Sequence, residues 1–135
     1  MNYIKFFFSL FLLSVYLLSC SVKKEEVSIL QNQDLESQMI ELYNEAYNEF
    51  LDGDTIYAAK KFNEAELIFP QSEWAPIAAL MTAYVYYSDD YYPDAINELE
   101  RFLKVYPTHK DKDYAHYLLA MCYYENIIDE KKDLG

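Results

Sequence analysis

The chain has 135 residues, 23 of them acidic against 11 basic, and a formal charge of −12. So acidic a surface repels phosphate backbones and disfavours nucleic acid as a partner. The length allows one domain at most, and the abundance of Tyr, Leu, Ala and Phe is that of a chain that buries a core.

The first 19 residues carry one charge, on Lys5, and residues 6–18 are apolar except for Ser9 and Ser14. A basic start, a short apolar run and a small residue before a cleavage point define a secretory signal peptide over residues 1–19. The run falls short of the roughly 20 residues that a membrane-spanning helix needs. Leu17, Leu18, Ser19 and Cys20 resemble the lipobox of bacterial lipoproteins, with Leu three positions before the cysteine and a small residue just before it. The resemblance implies cleavage after Ser19, a diacylglycerol on the Cys20 thiol and acylation of the new amino group, and two or more acyl chains anchor a protein stably. Position 21 is Ser and not Asp, which by resemblance to the sorting rule of enteric bacteria addresses the protein to the outer membrane. With Cys20 consumed by lipid, Cys122 is the other cysteine; it lies in an apolar helical run and is expected to be a buried thiol outside any disulfide.

Residues 20–36 contain Lys23, Lys24, Glu25 and Glu26, then Gln31, Asn32, Gln33 and Asp34, with no sustained apolar period. They read as a lipidated flexible tether, with a solvated helical extension over residues 25–35 as the alternative.

From Ile40 onward the pattern is helical and self-similar. Ala46, Ala83 and Ala120 recur at intervals of 37 residues, as do Tyr47, Tyr84 and Met121, and Phe50, Tyr87 and Tyr124. Later in the unit Ala58 matches Ala95, Phe62 matches Leu99, Ala65 matches Phe102 and Pro70 matches Pro107. A fixed period of this size identifies a repeat architecture. Each unit divides into two antiparallel helices, A and B. In the first, apolar residues at spacings of three and four run through Leu42, Tyr43, Ala46, Tyr47 and Phe50. Gly53 ends helix A in a left-handed conformation; helix B carries Ala58, Ala59, Phe62, Ala65 and Ile68, and Pro70 stops it. In the second unit helix A covers residues 77–87 and helix B residues 93–105. Asp90 stands where Gly53 stood, and Asp tolerates the left-handed region better than most residues. The expected division is repeat 1 over residues 37–71, repeat 2 over residues 72–109, and the first helix of an incomplete repeat 3 over residues 110–135.

Gly53, Ala58, Phe62, Ala65 and Pro70, with Ala46 at the small position of helix A, resemble the tetratricopeptide pattern. The fold class is therefore an all-α solenoid of about two and a half helix-turn-helix repeats. Two stretches are more specific: Ala58 to Phe62 through Pro70 and Ser72, and Arg101, Phe102, Leu103, Lys104, Val105, Tyr106, Pro107, Thr108 and His109 followed by Asp113, Tyr114 and Ala115. Together with the lipobox they resemble the BamD family, the repeat lipoproteins of the β-barrel assembly machinery; Lys110 stands where that family often has Pro. The resemblance implies a scaffold on the periplasmic face of the outer membrane that works with BamA and other subunits, receives unfolded barrel precursors and has no enzymatic activity. Its members hold five repeats, so the end of this chain at Gly135 reads as a truncation, or as a short form completed by a partner.

Tetratricopeptide arrays line an inner groove with particular helix A positions. By resemblance these fall on Tyr43, Tyr47 and Phe50, on Leu80, Tyr84 and Tyr87, and on Tyr117, Met121 and Tyr124. Tyr offers large contact area with a polar handle, and Tyr43, Tyr47, Tyr84 and Tyr117 are the peptide-groove candidates; the competing reading has these rings packing helix A against helix B. His109, Asp113 and His116 form the one cluster resembling a metal or catalytic set. No Cys joins them, Asp113 suits a helix start by itself, and no metal or cofactor is expected; Gly occurs twice, too sparse for a phosphate loop. Two other functions stay open: another periplasmic repeat lipoprotein, serving for instance envelope constriction, and a metal-dependent hydrolase using His109 and His116.

Overall fold

The computed structural model describes the backbone of residues 24–132 and the side chains of residues 32–127. The expected signal peptide over residues 1–19 and the expected lipidation residue Cys20 lie outside the described residues. Five α-helices follow in order: α1 (Lys24–Asp52), α2 (Thr55–Ile68), α3 (Ala75–Ser88), α4 (Tyr92–Val105) and α5 (Lys112–Lys132). Among the described residues every regular element is a helix, and none is long and apolar enough to cross a membrane.

The helix α1 begins at Lys24, so the tether expected over residues 20–36 is helical from there on, the alternative reading of that stretch. No Gly or Pro interrupts residues 24–52, and Glu, Gln, Leu and Met are good helix formers. A polar helix needs no buried face to satisfy its own backbone, which is why the missing apolar period did not signal a coil.

The helix ends follow local chemistry. Gly53 has φ 86° and Asp90 has φ 64°, so both A-to-B turns pass through the left-handed region, where a side chain is tolerated in Asp. The Asp54 carboxylate caps α2 by accepting the Tyr57 amide at 3.2 Å. Pro76 and Pro93 sit in the first turns of α3 and α4, where no intrahelical bond is lost. With connections this short, consecutive helices return antiparallel.

The buried residues of the unit 34–135 are those of the repeat pattern. Ala46 of α1, Ala58, Ala59 and Phe62 of α2, and Val85 of α3 form one cluster. Ala79, Leu80 and Ala83 of α3, Ala95, Leu99 and Phe102 of α4, and Ala115, Leu118 and Cys122 of α5 form another. Met39, Ala65 and Ala78 close a third. Alanines at each crossing bring the helix axes close while Phe62, Leu99 and Phe102, all fully buried, fill the space between. The A helices α1, α3 and α5 neighbour one another in one layer, with α2 and α4 in the second. This is the arrangement of a tetratricopeptide-type array.

The matched alanines diverge once. Ala46 and Ala83 are fully buried, whereas Ala120 is exposed. The first two are covered by the B helices of their own repeats, through Ala58 and Phe62 and through Ala95 and Leu99.

The B layer is joined by charge. Arg101 of α4 donates from Nη1 and Nη2 to Oε1 and Oε2 of Glu66 on α2, at 2.8 and 2.6 Å, and from Nε to Glu98 at 2.8 Å. The Tyr106 hydroxyl donates a further 2.8 Å bond to Glu66, whose side chain is buried. In repeat 1 the related pair is Lys61 and Glu64, 3.4 Å apart, with Lys61 also 3.3 Å from Glu45 of α1. Glu98 and Arg101 lie 37 residues beyond Lys61 and Glu64, so the two repeats hold the same ion pair with its signs exchanged.

Candidate partner-binding surface

The A layer presents a row of aromatic rings. Tyr43 turns inward: its ring meets Phe62 edge-on at 5.0 Å and Trp74 at 5.8 Å, and burial raises its phenol pKa, with Tyr47 adding to the effect. Tyr47, one turn further on, is 45% exposed. Phe50 at the end of α1 meets Tyr84 of α3 edge-on at 6.0 Å. Tyr84 shares a cavity of about 280 Å³ with Ile77, Leu80, Met81, Asp111 and Tyr114. Tyr114 lies 6.4 Å from Tyr117 on α5, and Tyr117 is 60% exposed. Rings therefore run from α1 across α3 to α5. Burial, followed by the neighbouring phenols of Tyr84, Tyr87 and Tyr117, raises the pKa of Tyr114, so its hydroxyl stays neutral and able to donate at any physiological pH.

Of the four groove candidates, Tyr84 and Tyr117 belong to this row of rings, Tyr47 is exposed on α1, and Tyr43 packs on Phe62 and Trp74. Leu80 is buried, and the Tyr87 ring lies tilted against Tyr92 at 6.0 Å, whose hydroxyl donates to Asp90 at 2.6 Å. Reading the sequence missed Tyr114, Met81, Ile77 and Asp111. Ile77, Leu80, Met81 and Tyr84 fall at spacings of three and four and were legible as one face. Asp111 comes from the loop before α5, and only the fold brings it there.

A larger cavity of about 670 Å³ lies between the two inter-repeat loops, lined by Trp74 and Pro76 on one side and by Val105, Tyr106 and His109 on the other. The Tyr106 hydroxyl is fixed by Glu66, and burial followed by that bond raises its pKa. His109 packs edge-on against Phe102 at 5.8 Å, and its Nδ1 accepts the Asp111 amide at 3.3 Å. His116 and Asp113 are exposed on α5. Among the described residues no group of three His, Cys, Asp or Glu side chains, His109, Asp113 and His116 included, could hold a metal ion.

Paired helices at a 37-residue period, with aromatic rings along the A layer, make this an all-α repeat protein of the tetratricopeptide type. A family model described as YfiO, outer membrane lipoprotein, matches residues 35–135, and the chain belongs to that family. Curated relatives carry the name outer membrane protein assembly factor BamD. The one from Caulobacter vibrioides is 37% identical over 92 residues, 68% of this chain and 30% of that protein. The one from Neisseria gonorrhoeae is 39% identical over 80 residues, 59% of this chain and 30% of that protein. The one from Rickettsia prowazekii is 29% identical over 133 residues, 98% of this chain and 51% of that protein. The chain spans about half or less of the length of these relatives.

Proposed function

We propose that this chain is a scaffold subunit of the machinery that assembles β-barrels in the outer membrane. It is held to that membrane by lipid on Cys20 and faces the periplasm. It receives extended segments of unfolded barrel precursors along its A layer, works with BamA and other subunits of the machinery, and catalyses no reaction. The observation that carries this reading is the continuous run of rings from Phe50 through Tyr84 and Tyr114 to Tyr117. Family membership and the printed name of the relatives support it. A row of aromatic rings on rigid helices gives contact area at low entropic cost, and the phenol hydroxyls can bond to the backbone of an extended chain.

The test is a double substitution, Tyr47→Ala with Tyr84→Ala, read by titration with a peptide from the terminal strand of a barrel protein and by circular dichroism. Affinity is expected to fall about tenfold or more, as for loss of interface tyrosines, with helicity preserved. Unchanged affinity in a folded variant contradicts the groove.

A further inference from the structure

The cavity between α3 and α5 has a composition that a purely apolar subsite does not need. Its walls are Ile77, Leu80 and Met81, two tyrosine rings stand beside them, and one carboxylate, Asp111, belongs to the lining. The side chain nearest in charge to Asp111 is His109, with Nδ1 at 3.7 Å from Oδ2. That Nδ1 accepts the Asp111 amide proton at 3.3 Å, so it is directed at the backbone and not at the carboxylate. Lys110, the preceding residue, lines the other cavity. Asp111 also precedes the first turn of α5, its carbonyl accepting the Ala115 amide at 3.0 Å. The helix terminus contributes about half a positive charge there, which the full carboxylate charge outweighs.

We propose that this cavity is a subsite for one long cationic side chain, a lysine or preferably an arginine, of the segment that lies along the A layer. The methylene stem packs on Ile77, Leu80 and Met81, as long basic side chains do on apolar surface. The guanidinium meets the ring faces of Tyr84 and Tyr114 and the carboxylate of Asp111, so cation–π attraction and charge act together. The volume of about 280 Å³ admits a single side chain and excludes a folded element. The overall charge of −12 draws a basic segment toward this surface. The subsite rests on the groove reading above and adds to it a preference in the partner's sequence.

The test uses the full chain and three blocked peptides of extended, aromatic-rich sequence that differ at one central position: arginine, citrulline (its neutral isostere) or norleucine. Binding is followed by the shifts of isotope-labelled tyrosine rings. The arginine peptide is expected to bind about fivefold tighter than the citrulline peptide, with the advantage shrinking as salt rises from about 20 to 300 mM. In Asp111→Asn, which keeps an equally good helix cap, the arginine advantage is expected to disappear while the norleucine peptide binds as before. Binding of all three peptides with equal affinity overturns the subsite and leaves the groove standing. An arginine preference that survives Asp111→Asn overturns it as well. Failure of every peptide to bind overturns both the subsite and the groove.

Discussion

Arg101 and Glu66 meet through two parallel hydrogen bonds, 2.8 and 2.6 Å long, that tie the B helix of one repeat to the B helix of the next. Glu66 is 4% exposed, and the third bond it accepts, from Tyr106, completes its coordination. The guanidinium responds in kind: the Glu66 bonds raise its pKa further above the ordinary range. Arg101 is the one arginine in the chain, and a planar fork is what bidentate pairing with a carboxylate requires.

Arg101→Ala leaves a buried carboxylate without its partner and is expected to cost about 3 kcal/mol of folding stability. Arg101→Lys keeps the charge and loses the second prong, at about 1.5 kcal/mol. Urea denaturation of each variant measures both. A loss below about 0.5 kcal/mol for the alanine variant, the level of an ordinary surface change, contradicts the role given to the pair.

The alanines at the matched A-helix positions test the packing account. Ala83→Leu forces extra methylenes between α3 and α4 and is expected to destabilise by about 1–3 kcal/mol. Ala120→Leu, at the same place in the following repeat but exposed, is expected to stay within about 0.5 kcal/mol. Thermal unfolding of the two variants side by side decides it; equal effects contradict the burial difference.

Cys122 gives a pH dependence. Burial pushes its thiol from 9.0 up to about 11, so the folded state holds the proton over a range where the unfolded chain releases it. The stability this contributes is fully present below pH 9 and is lost as pH rises toward 11. Replacing Cys122 by Ala is expected to flatten the fall in stability between those values. In the native protein at pH 8, iodoacetamide is expected to leave the peptide containing Cys122 unmodified by mass spectrometry, and to label it in urea. Rapid native labelling contradicts the burial.

How much of this was legible in the sequence depends on the period of the signal. Ala58 with Ala95, Phe62 with Leu99 and Gly53 with Asp90 carry packing and turn requirements that recur at every repeat, so one copy confirmed the other. The Glu66–Arg101 pair does not recur: Leu103 is the counterpart of Glu66, and a contact that breaks the repeat cannot be read from it. The helix over residues 24–36 was hidden for another reason, since a polar helix leaves no apolar stripe. Among the tyrosines, spacing assigned a helix face but could not separate Tyr43, which turns toward Phe62 and Trp74, from Tyr47 one turn away.

The exchanged signs of Lys61 with Glu64 and Glu98 with Arg101 make the order of the repeats a fixed grammar. A chain built from two copies of the first repeat would set a glutamate at the place of Arg101, opposite the carboxylate of Glu66. Two copies of the second would leave Arg101 beside a leucine. The modules share a length and a core, yet permuting them loses the pair between Arg101 and Glu66. An exact duplication of either repeat would therefore produce an array without this ion pair.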